Sequence, residues 1–104
     1  MKLVEITPLR KAHLYNTLVK REAEIRKAGK GTFARKGPQR ARAAKWSHKR
    51  FKGSVSLTRE DEEMLSAKIR SPTSEDEGSL LKAFLGFVDR HAGTHVATIT
   101  IHYQ

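Results

Sequence analysis

Leu80, Leu81, Phe84, Phe87, Val88 and His91 recur at three- and four-residue intervals and fall within a third of a helical circumference, with Lys82, Gly86, Asp89 and Arg90 elsewhere. This spacing predicts an amphipathic helix, opened by a Ser74–Glu77 capping box and stopped by Gly93. Its apolar face needs a surface to cover. Three stretches of period-two alternation supply one. Phe51, Gly53, Val55 and Leu57 alternate with Lys52, Ser54 and Ser56. Leu65, Ala67 and Ile69 alternate with Ser66, Lys68 and Arg70, and Ala97, Ile99, Ile101 and Tyr103 with Thr98, Thr100 and His102. The first two flank the polar turn TREDEE and predict a hairpin. A further strand is expected over Lys45–Lys49. The expected fold is α+β, a small antiparallel or mixed sheet with a ββαβ core and the one amphipathic helix on one face.

The amino-terminal pattern is weaker. KLVEI, residues 2–6, predicts a short strand, and Thr7-Pro8 a helix start that carries the chain to about residue 28, where Gly29 and Gly31 stop it. Leu14, Leu18 and Ile25 share one side with Tyr15, but Lys11 and Glu22 interrupt that stripe and Arg21 and Arg26 flank it. Such a helix is expected to pack weakly or swing free. Residues 29–44 have no period, contain Gly31, Gly37 and Pro38, and are expected to be flexible. The chain therefore divides into a basic amino-terminal extension, residues 1–44, and a compact domain, residues 45–104.

Composition sharpens this division. The chain of 104 residues suits one domain, and with no cysteine its core must hold by packing alone. No apolar run reaches signal-peptide or membrane-spanning length, so a cytoplasmic protein without a membrane partner is expected. Of the net charge of +10, residues 1–52 carry 16 Lys or Arg against 3 acids, while residues 53–104 carry 5 against 8. Segregation on this scale points to a polyanionic partner. The acids need no functional account: Glu75, Asp76 and Glu77 suit a helix start, and Glu60–Glu63 a turn.

The candidate chemistry is phosphate binding. Arg35, Lys36, Arg40, Arg42, Lys45, Lys49, Arg50 and Lys52 fall in an acid-free run interleaved with Gly, Phe33, Trp46 and Phe51, and Lys68 and Arg70 extend it onto the outer sheet face. That face, opposite the helix, is expected to show Lys52, Ser54, Ser56, Ser66, Lys68, Arg70, Thr98, Thr100 and His102, and no acid. Cations of this density neutralise phosphates with little sequence discrimination. Arg planes and aromatic rings favour RNA over DNA because they stack on unpaired bases. Trp46 can supply such a ring and is counted with the binding residues, but a lone Trp in a small domain is more often packed at the core edge. The alternative is a module binding an acidic protein partner or its own copy. A third reading, a metal-independent ribonuclease, would need His48 and His102 to meet as an acid/base pair with Lys49 or Lys68 beside them. Catalysis is not expected, because there is no cysteine nucleophile, GxSxG elbow or Walker loop. No metal or cofactor is expected either: His91 and His95 are four apart, but Gly93 separates them.

Overall fold

The six strands of the sheet lie in the order β2-β3-β4-β5-β1-β6, every neighbouring pair antiparallel. In chain order the elements are β1 (Lys2–Pro8), α1 (Leu14–Lys27), β2 (Phe33–Arg35), β3 (Ala43–His48), β4 (Ser54–Arg59), β5 (Leu65–Arg70), α2 (Ser74–Ala92) and β6 (Val96–Tyr103). The computed structural model describes residues 1–104. Both helices pack on the same face of the sheet, against each other and against β2, β4 and β5. The fold is α+β, with one face layered by helices and the other open.

The alternations predict the facing residues. Val4, Ile6, Val55, Leu57, Leu65, Ala67 and Ile69 lie on the helix side and are buried. Leu80, Leu81, Phe84, Phe87 and Val88 of α2 close over them. Helix α2 starts one residue earlier than the capping box implied: Thr73 is the cap, its Oγ1 accepting from the Asp76 amide at 3.1 Å. Glu77 is thereby freed from capping and accepts from Lys2 Nζ at 2.6 Å. At Gly53, φ is +128° and a Cβ would stand 2.1 Å from the Arg70 carbonyl oxygen, so the chain entering β4 can approach β5 only without a side chain.

Five expectations are corrected. Residues 1–44 are not an extension: β1 lies between β5 and β6, α1 buries five residues, and β2 forms one edge of the sheet. The ββαβ core is consequently interrupted, since β5 and β6 both pair with β1 and not with each other. The first helix begins at Leu14 rather than Pro8, because β1 continues through Pro8 and meets β6 at a register shift there. Nor does α1 swing free. Leu14, Tyr15, Leu18 and Val19 are buried, and burying the two leucines contributes about 3–6 kcal/mol. That gain holds α1 down although Glu22, at 1% exposure, goes inside with it. Arg26, one turn on, compensates by donating to Glu22 Oε2 at 2.8 Å. Finally, within residues 29–44, Phe33–Arg35 pair with β3, and Tyr15 Oη donates to the Arg40 carbonyl at 2.7 Å, tying the following loop to α1.

Candidate nucleic-acid interface

The open face is ordered by register. Lys45 on β3 stands beside Ser56 on β4, and Ser56 beside Lys68 on β5, in one row across three strands. In the row next to it, Ser54 stands beside Arg70. Lys45, Lys68 and Arg70 are exposed and the serines half-buried between them, so hydroxyls floor a surface whose cations project. Two strand spacings put Lys45 and Lys68 about 10 Å apart at the backbone.

The loop from β2 to β3 adds two cations. A groove of about 480 Å³ runs along it, with Lys36, Pro38 and Arg40 on one wall and Lys45, Ser56 and Thr58 on the other. Lys36 also borders a second groove with Ser54, Arg70 and Ser71. Lys36, Arg40, Lys45, Lys68 and Arg70 are in no ion pair, a state they share with other surface cations such as Lys49 and Arg50, whereas Lys2, Lys11, Arg21, Arg26, Arg42 and Arg59 are paired. What sets the five apart is that they adjoin one another.

The face is not free of acid. Because β1 is inserted in the sheet, Glu5 stands on this side between Ser66 and Thr100, and its Oε1 lies 2.6 Å from His102 Nε2. Glu60 accepts from Ser66 Oγ at 3.0 Å. The outer face thus has a basic half over β3, β4 and β5 and a neutral-to-acidic half over β1 and β6 that holds Thr98, Thr100 and His102. The alternation of Val4 and Ile6 already marked Glu5 as outward-facing; only the position of β1 in the sheet was missing.

The remaining candidates are scattered. Trp46 is fully buried, with ring centroids 5.1 Å from Phe87 and 5.7 Å from Phe33; it has no face open to a base, which corrects its reading as a stacking residue. Arg35 shares the register of Trp46 and belongs to the helix side. Arg42 lies 3.8 Å from Asp61. Lys49 and Arg50 are exposed in the turns between β3 and β4. Lys52 lies in the same connection, not on the outer face as expected: its amide donates to Asp76 at 3.2 Å and its carbonyl accepts from Ser71 at 2.6 Å.

The histidines do not assemble a catalytic pair. His48 lies on the helix side, stacked on Phe51 at 4.6 Å and edge-on to Phe33 at 4.9 Å. Burial, and after it the charge of Arg50, pushes its pKa down. His102 is on the other face, with β4, β5 and β1 between them. His91 lines a helix-side cavity of about 290 Å³ with Glu22, Ile25, Phe33, Phe87 and Arg90. Its pKa is lowered by burial and then by Arg21 and Arg90. Oε1 of Glu22 is buried there without a hydrogen-bond partner.

No protein-family model, curated protein or solved structure matches the chain.

Proposed function

We propose that this is a non-enzymatic nucleic-acid-binding protein, with RNA favoured over DNA, that holds the phosphate backbone on the basic half of its open sheet face and along the adjoining loop. The observation that carries this reading is the set of five unpaired cations, Lys36, Arg40, Lys45, Lys68 and Arg70, gathered around Ser54 and Ser56. Cations already bound to carboxylates gain little from a phosphate, but unpaired ones release counterions on contact. Serine hydroxyls can donate to phosphate oxygens and fix the strand's path. No Phe, Tyr or Trp projects from the strands of this face, so binding rests on phosphate and sugar contacts and discriminates little between sequences. The arginine- and glycine-containing loop suits the irregular backbone of RNA, whose 2′-hydroxyl adds a group for the serines to meet. A cysteine-free chain is consistent with a reducing, cytoplasmic setting. No helix is long and apolar enough to cross a membrane.

Fluorescence anisotropy with labelled single-stranded and duplex RNA and DNA over a salt series tests the proposal. Engagement of all five cations gives a log–log salt slope of about −4 to −5 on duplex and about −3.5 on single strands. The triple variant Lys45→Ala/Lys68→Ala/Arg70→Ala should lose most of that slope. Absence of binding at low salt would sink the nucleic-acid reading in favour of an acidic protein partner for the same cations. Unchanged binding by the triple variant would place the site elsewhere on the molecule.

A further inference from the structure

Strand β6 forms an outer edge of the sheet and runs eight residues. Edge strands commonly avoid pairing with other chains by carrying charge or proline, or by being short. VATITIHY has no Lys, Arg, Asp, Glu or Pro. The opposite edge, β2, is three residues long. Beside its unpaired backbone, β6 shows apolar surface that the helices leave uncovered: Ile99 is 39% and Tyr103 71% exposed, with Ile101 half-buried between them.

We propose that β6 pairs antiparallel with β6 of a second copy of this chain about a twofold axis, joining the two sheets edge to edge. The helix-facing sides must stay continuous, so paired residues share parity. An axis centred on Thr100 pairs every residue from Ala97 to Tyr103. Ile99 of one copy then faces Ile101 of the other, Ala97 faces Tyr103, and Thr98 faces His102. Small side chains meet large ones, apolar meets apolar, and no like charges are opposed. This self-complementarity is what a twofold contact requires.

Charge placement favours the same partner. An uncharged edge offers nothing to select an acidic or basic strand. Lys2, whose Nζ lies 5.3 Å from the Tyr103 ring, is held by Glu77, and the cations of the open face stand away from the edge. Lys68 is two strands from β6, so the two Lys68 side chains of the pair begin about 24 Å apart. That exceeds the Debye length of about 8 Å at physiological salt. The basic halves of the two open faces would lie on one continuous surface, one on each side of the axis.

The chain has no cysteine, which makes the axis directly testable. Sedimentation equilibrium of the unaltered protein should show concentration-dependent mass rising toward twice the 11.8 kDa of one chain. Under oxidation, Thr100→Cys should cross-link, since residues paired across antiparallel strands have Cα atoms about 4.5–5.5 Å apart, within disulfide reach. Thr98→Cys should not, because the two Thr98 residues are about 13 Å out of step. Thr100→Lys separates association from folding: in one copy the lysine stands beside Glu5, and only in the pair does it face itself. It should raise the dimer dissociation constant about fivefold or more while circular dichroism stays unchanged. Single-chain mass at every concentration overturns the proposal, as does cross-linking at residue 98 but not at 100, or a dimer indifferent to Thr100→Lys.

Discussion

Lys2 at the start of β1 donates to Glu77 in the first turns of α2 at 2.6 Å, joining residues 75 positions apart. The amino-terminal ammonium lies 3.0 Å from the other oxygen of the same carboxylate. Strand β1, one in from the sheet edge, and the principal helix are thus tied by a group that α2 no longer needs for capping.

This tie makes stability depend on pH. The hydrogen bond from Lys2, and then that from the ammonium, hold the Glu77 carboxyl below its ordinary value, although burial pushes the other way. A carboxyl whose folded value is the lower one stabilises the fold above its unfolded value and loses that contribution as pH falls through the folded value. Glu77→Gln should cost about 1–2 kcal/mol near neutrality, with the difference shrinking in acid. Urea denaturation at stepped pH measures both quantities.

Trp46 reports on the core rather than on the ligand. Trp46→Ala should cost about 3–5 kcal/mol in urea denaturation. Trp46→Phe should cost less, because it keeps an aromatic ring and removes a buried indole N–H that has no partner. As the only tryptophan, it should emit at short wavelength, resist acrylamide quenching, and keep its emission unchanged when RNA is titrated in.

Glu5 opposes the proposed ligand on the open face. A unit charge about 10 Å from a phosphate in water is worth a few tenths of a kcal/mol, so Glu5→Gln should tighten nucleic-acid binding about twofold at low salt. Lys68→Ala should act in the opposite sense and reduce the salt slope by about one. The contact between Glu5 and His102 is exposed, and losing it in Glu5→Gln should change stability by less than ~1 kcal/mol. Anisotropy titrations at three salt concentrations separate these effects.

The Glu22–Arg26 pair should respond asymmetrically. Arg26→Ala leaves a buried carboxylate with no partner on either oxygen and should cost about 2–3 kcal/mol. Glu22→Leu removes the charge, fills the space with apolar atoms and frees an arginine that already reaches solvent, so it should cost less than ~1 kcal/mol. Equal losses in chemical denaturation would contradict this account of why α1 tolerates a carboxylate in its stripe.

Local pattern is enough to place α2, β4, β5 and β6 and to say which of their residues share the helix side of the sheet. Periodicities of 3.6 and 2 are consequences of backbone geometry, and Leu80–Val88, Val55–Leu57 and Ile99–Tyr103 express them without interruption. The basic character of Lys45, Lys68 and Arg70 and their outward direction follow from the same alternation. Helix α1 is less legible in the pattern because Glu22 lies in its apolar stripe. Whether a carboxylate there is a defect or a paired group depends on Arg26 and on the sheet beneath.

Strand order is not written in local pattern, because it is set by contacts between segments far apart in the chain. The insertion of β1 between β5 and β6 makes the amino-terminal segment an interior strand, one in from the edge, and puts Glu5 on a face expected to be free of acid. It also left β6 as an uncharged edge. Burial of Trp46 follows from a three-ring cluster with Phe33 and Phe87, whose own ring centroids lie 5.8 Å apart, residues drawn from a segment without any period and from the far helix. Charge and periodicity are properties of the chain; which charges stand together, and which edge is left unpaired, belong to its three-dimensional arrangement.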